Sequence, residues 1–349
     1  MTPNRRNGSW AAGALHVVLF AAVLLVAGCS SRAQPQDVPQ NLPLGLPLRS
    51  VGEMPLPGDN SRFDSASLDA QRGLLFISHP GQNDVIQVDI NAQRVVSTIR
   101  NLQAVHGVLA VGEQSRVYAN ATRVNQLVAI DETTGLEVGR APTGNYPDGL
   151  AYDSRRHAVW VSNRESGTLT VLDGATLQER GNVDIGGEIG NVGYDSRSDR
   201  MLLAVQGNNQ LAVIDAQSMT VAQRVSLPNC DGPRAVSIAE QDRLVFVGCN
   251  YNATVVIVDS TNWSIAGTYP VGQGPDMLAY DTSGRRLYVA AESGIVAVLL
   301  LQDRRVPVIR SDFLADGAHV VAVNSDTHRT YYPVHGGPEG PNLLIKEAT

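Results

Sequence analysis

Seven polar or ionisable residues recur along the chain at intervals of 42 or 43: Asp64, His106, Asp148, Asn191, Arg234, Asp276 and His319. A second polar series follows them by about fifteen positions: His79, Asn163, Arg164, Gln206, Asn250, Glu292 and His335. Imidazole and carboxylate groups suit Zn, Fe or Cu. Four of the seven histidines, His79, His106, His319 and His335, fall in these two series, with Asp64 and Asp148 beside them in the register. The chemistry these types support is capture of a divalent metal or a metal-bearing cofactor. A second reading is structural. Polar residues at strand starts satisfy loop backbone groups, and ligand atoms must converge to about 2 Å from an ion, which a sequence register does not guarantee.

Elements that position such residues are legible in the same periodicity. Short β-branched runs alternate with Gly, Asn, Asp and Ser clusters, without a helical period, so the chain reads as all-β. Five runs end in aspartate, at Asp89, Asp131, Asp173, Asp215 and Asp259, spaced by 42, 42, 42 and 44. A carboxylate that closes a strand bonds backbone N–H groups as the chain reverses, which makes these residues turn-formers rather than catalytic acids. Length alone would suggest two domains for 349 residues. Seven units of about 42 residues, each of four short strands, instead describe one seven-bladed β-propeller. The last unit runs out after Leu343-Leu344-Ile345 with three strands. Its missing outer strand is expected from the N-terminal side, where Leu48–Pro57 matches Ser264–Val271 of the fifth unit. That closure leaves no open sheet edge.

The units Tyr146–Asp153 with Val159–Asn163, and Pro275–Asp281 with Arg286–Ala290, resemble YVTN-type β-propeller repeats. The resemblance spans nearly everything after residue 47 and implies the fold; functions within similar propellers range over binding proteins, scaffold modules, lactone hydrolases and haem carriers. The sixth unit departs from it, because Ala297–Leu301 lacks the turn aspartate. In this architecture the start of the first strand and the end of the second open on one face around the axis. Both polar series therefore map to an axial face, the default ligand site: Asp64, His79, His106, Asp148, Asn163, Arg164, Asn191, Arg234, Asp276, Glu292, His319 and His335. The four histidines fall on blades seven, one and two, whereas His157 and His328 share an equivalent position at the opposite face and read as surface residues. Cys230 lies just before the first strand of the fifth blade and Cys249 at the end of its second, so a disulfide is expected in an oxidising compartment; free thiols or a thiolate ligand pair are the other reading.

The beginning of the chain sets that compartment. Arg5 and Arg6 precede an uncharged apolar stretch, Trp10–Ala27, which reads as a secretory leader. It ends in Leu25-Val26-Ala27-Gly28-Cys29, which resembles a bacterial lipoprotein lipobox. Residues 1–28 are thus expected to be a signal peptide, Cys29 the lipidation site, residues 29–47 a Pro-, Gln- and Ser-rich tether, and 48–349 the propeller. The other reading is an uncleaved membrane anchor. By resemblance, Ser30 and Ser31 after the cysteine direct a Gram-negative protein of this kind to the outer membrane, placing it in the cell envelope on the periplasmic side. Removing 1–28 deletes two arginines and no acid, so the formal charge goes from -7 to -9. Together with the lack of a basic run, this argues against the phosphate-binding footprint of a nucleic-acid partner, and none is expected.

No nucleophile elbow, phosphate loop or dinucleotide fingerprint occurs in the sequence. Propeller lactonases place a divalent cation on the axis with Glu, Asn and Asp; Glu292, Asn163, Asn191 and Asp276 supply those types without matching the pattern residue by residue. The expectation is therefore a lipid-anchored binding protein that takes a small molecule or an envelope protein on its axial face. A metal-dependent hydrolase or a metal or haem carrier is the alternative.

Overall fold

The computed structural model describes residues 45–302, 304–336 and 340–349. Cys29 and the lipobox lie outside them. Seven four-stranded antiparallel sheets follow one another along the chain. Six are built from consecutive strands, as in blade 1 (Ala66–Asp69, Leu74–His79, Asp84–Asp89 and Arg94–Ile99). Blade 7 takes Ala322–Asn324, Arg329–Val334 and Asn342–Ala348 from the C-terminal side and Leu48–Pro55 from the N-terminal side, with Leu48 opposite Ala348 and Met54 opposite Leu343. The N-terminal strand thus closes a seven-bladed β-propeller.

Each blade alternates its side chains between its two neighbours, so the core is divided among the blade interfaces. Seven buried clusters occupy the seven interfaces. Trp160, Leu203 and Ile214 fill the one between blades 3 and 4; Met54, Phe63, Tyr331 and Leu343 fill the closing one between blades 7 and 1. Turn aspartates do what their position suggests. Asp173 Oδ1 accepts the backbone N–H groups of Ala175 and Thr176 at 3.0 and 2.7 Å, and Asp215 repeats this with Gln217 and Ser218. In blade 6, where that aspartate is missing, the strands run on: Ile295–Gln302 and Arg305–Phe313 pair as far as Gln302 opposite Arg305.

The innermost strands pack tightly against one another. Ser65 Oγ donates to the His106 carbonyl at 2.7 Å, and Asn120 Nδ2 donates to the Asp148 carbonyl at 2.8 Å. A Cβ at Gly107 would fall 2.1 Å from the Asp148 carbonyl oxygen, so only glycine permits this approach. At the opposite face one repeat position is anomalous. The residue after the turn aspartate is Ile90, Gly174, Ala216 and Ser260 in blades 1, 3, 4 and 5, but Glu132 in blade 2. Glu132 is fully buried, both carboxyl oxygens lack hydrogen-bond partners, and its nearest cation is Arg72 Nη1 at 3.4 Å. Burial pushes its carboxyl up to about 7, and the charge of Asp69 adds to the effect.

Candidate ligand site on the axial face

The innermost strands bring Asp64, Asp148, Asn191, Arg234 and Asp276 around one axial cavity of about 140 Å³. Regular register explains the convergence: the same place in each repeat reaches the same height on the axis. Charges are then arranged across the ring rather than along the chain. Arg234 Nε lies 3.1 Å from Asp276 Oδ1, and its Nη2 lies 3.9 Å from Asp148 Oδ2. His319 Nδ1 is 2.8 Å from Asp276 Oδ2.

Arg62, absent from both polar series, is the residue that sequence reasoning missed. It sits in segment 56–65, which carries the chain from the outer strand of blade 7 to the innermost strand of blade 1. Its Nη2 is 3.3 Å from Asp64 Oδ1 and 3.2 Å from Asp276 Oδ2, and its Nη1 is 3.0 Å from Glu292 Oε1. The signal available was topological: this crossing must pass over the axial face, and Arg62 is its only basic residue.

Among the described residues, two carboxylate–imidazole groups of three ligands result. Asp64, His106 and Asp148 form one, Asp276, Glu292 and His319 the other; within each, ligand atoms lie within 4.8 Å of one another. Their electrostatics differ. Burial alone would raise the Asp276 carboxyl, but the His319 hydrogen bond and the Arg234 and Arg62 charges hold it below the usual range. Burial pushes Asp64 up to about 6; the His106 and Arg62 charges oppose that shift, and the neighbouring Asp148 and Asp276 carboxylates reinforce it.

The four histidines of the expected arc are not brought to one point. His106 stands with Asp64 and Asp148, its ring 5.1 Å from that of Tyr146. His319 stands with Asp276, and the His335 ring is 6.4 Å from it. Burial holds the His335 imidazole below its ordinary pKa, and His319 and Arg62 add to this. His79 is fully buried beneath the closing segment, against Phe63 with ring centroids 4.6 Å apart and Nε2 2.9 Å from Ser61 Oγ. Burial lowers its pKa too. Asn163 turns into its own blade, where Nδ2 donates to Thr168 and Thr170 at 3.0 and 2.9 Å. Arg164 reaches the rim, pairing with Glu188 at 2.7 Å over the ring of Tyr146. Cys230 and Cys249 form a disulfide, Cα atoms 5.2 Å apart, that ties the entry of blade 5 to the end of its second strand.

No family model matches this sequence, and no curated protein matches it. Solved structures do. The chain is similar to hydrazine synthase of Kuenenia stuttgartiensis, with TM-score 0.71 and 14% identity over 84% of this chain and 98% of that one. It is also similar to virginiamycin B lyase from Staphylococcus aureus, with TM-score 0.72 and 11% identity over 86% of this chain and 99% of that one. At such identities the likeness carries the fold alone: the protein is a seven-bladed β-propeller.

Proposed function

We propose that this protein is an extracytoplasmic, lipid-anchored binding protein of the YVTN-repeat kind that holds a small charged ligand on its axial face. The observation that carries the reading is the axial cavity, where the repeat register converges Asp64, Asp148, Arg234 and Asp276 and the non-repeating Arg62 crosses to meet them. Guanidinium and carboxylate groups of both signs in one recess suit a ligand with paired charges or an ion. Size supports this: a cavity of about 140 Å³ lies well below the roughly 300–1,000 Å³ of sites for larger organic ligands. Nothing in the site favours a lactonase-like hydrolase over binding.

Thermal-shift measurement of the full chain against small amino acids, dicarboxylates and polyamines tests the ligand reading. A compound that stabilises the wild type, with the effect lost in Arg234→Met, supports it; no shift with any of these classes refutes it. The anchor is tested separately by palmitate labelling in cells, which is expected in the wild type and lost in Cys29→Ser.

A further inference from the structure

We propose that Asp64, His106 and Asp148 form a site for one divalent transition-metal ion at the edge of the axial cavity. This deepens the reading of the axial face as the binding site and rests on it.

Spacing is the first support. His106 Nδ1 and Asp148 Oδ1 are 3.9 Å apart, too far for a hydrogen bond. Two donors each about 2.1 Å from one tetrahedral ion stand about 3.4 Å apart, so the observed separation needs only a small adjustment. Open valence is the second and independent support. Asp148 is 5% exposed, lines the cavity, and its Oδ2 accepts no hydrogen bond. His106 Nδ1 is likewise buried without a partner. The guanidinium of Arg234 directs its Nε to Asp276 at 3.1 Å, and its Nη2 stands 3.9 Å from Asp148 Oδ2, beyond hydrogen-bond distance. Asp148 Oδ1 faces His106 Nδ1, and a buried carboxylate beside a buried imidazole nitrogen, with Oδ2 and Nδ1 lacking hydrogen-bond partners, is costly unless a cation joins them.

The second group is a built-in contrast. Asp276, Glu292 and His319 also offer carboxylates and an imidazole, but Arg62 and Arg234 lie 3.0–3.2 Å from those carboxylates and His319 Nδ1 is committed to Asp276, whereas in the first group Arg62 reaches only Asp64, at 3.3 Å, and Asp148 and His106 Nδ1 stay without a hydrogen-bonding cation. The proposed ion therefore belongs to the first group. Its ligands sit on a rigid support, since Ser65 and Asn120 bond the carbonyls of His106 and Asp148 and Gly107 keeps the two strands close. Two carboxylates and one imidazole favour ions of the Mn²⁺ to Zn²⁺ series over Ca²⁺, which prefers all-oxygen shells, and over Cu⁺, which prefers sulfur. Three protein ligands leave a position for water or a ligand atom from the cavity.

The test is titration of the full chain, purified without an affinity tag and stripped with EDTA, with Zn²⁺ by calorimetry and Co²⁺ by visible spectroscopy. One equivalent should bind, with a Co²⁺ ligand-field band. His106→Gln and Asp148→Asn should each weaken binding at least about tenfold, by analogy with the loss of groups that merely orient a ligand; the exposed His157→Gln should leave it nearly unchanged. Failure of wild type to bind at sub-millimolar ion overturns the site, as does weakening by His106→Gln no greater than by His157→Gln. Should either ligand variant fail to fold, Co²⁺-induced paramagnetic shifts decide: His106 shifted with His157 unshifted supports the site, and the reverse overturns it. A small-molecule thermal shift that survives EDTA in a protein binding no ion would overturn the metal and keep the axial-ligand reading. Ion binding without any such shift would do the opposite.

Discussion

Replacing Glu132 by glutamine should stabilise the propeller at neutral and alkaline pH while leaving it nearly unchanged in acid. Glu132 lies where other blades place Ile, Gly, Ala or Ser, fully buried, with Arg72 at 3.4 Å and the Asp69 carboxylate nearby. Its carboxyl rises from 4.5 to about 7 on folding, chiefly because burial penalises the ionised form. A raised acid pKa means that the fold binds the proton more tightly than the unfolded chain does. The associated stability is complete below pH 4.5 and is lost as pH climbs through about 7. At about 1.4 kcal/mol per tenfold change in proton affinity, the loss reaches about 3 kcal/mol. Glutamine keeps the neutral shape and does not titrate, and the attraction of Arg72 for the ionised form is already contained in the value of about 7. The net gain for Glu132→Gln above pH 7.5 is therefore about 3 kcal/mol. Urea unfolding followed by tryptophan fluorescence, run for both proteins across this pH range, measures it. Other buried carboxyls, such as Asp84 at about 6, titrate in both proteins and cancel in the difference. A difference that stays flat across the range, or that falls as pH rises, would falsify the assignment of a buried, proton-holding Glu132.

Three further outcomes are expected. Reducing the Cys230–Cys249 bond, which closes a loop of 19 residues, should lower stability by about 3 kcal/mol in the chain-entropy model; equal unfolding midpoints with and without dithiothreitol would contradict this. Gly107→Ala forces a Cβ to within 2.1 Å of the Asp148 carbonyl and should cost about 2 kcal/mol by overpacking, read as a drop in urea midpoint, with an unchanged midpoint as the contrary result. Deleting the chain through Pro57 removes the outer strand of blade 7 together with buried Met54 and Leu56, each worth about 2–5 kcal/mol as a core side chain. The product should lose cooperative unfolding or associate through the exposed edge of Asn342–Ala348; a monodisperse, cooperatively folding monomer in analytical ultracentrifugation would show that closure is dispensable.

The sequence by itself determined the number of blades, the register of their innermost strands, the closing strand, the turn aspartates and the cysteine pair. All of these depend on interactions within one 42-residue unit or between a unit and its copy, so repetition makes them visible. The site depended on something else. Side chains in a strand alternate direction, and neighbouring positions at a strand end part company: Asn163 turns into its blade while Arg164 reaches the rim. The register placed His79 beside the other three histidines, but the non-repeating segment 56–65 folds over it and supplies Arg62 in exchange. Arg62 and Asp276 are 214 residues apart, and no local rule pairs them. Closure of the ring does so, because seven strands meeting at one axis bring together charges from opposite ends of the chain. Only there is it decided which carboxylates are neutralised by guanidinium and which are left open beside an imidazole.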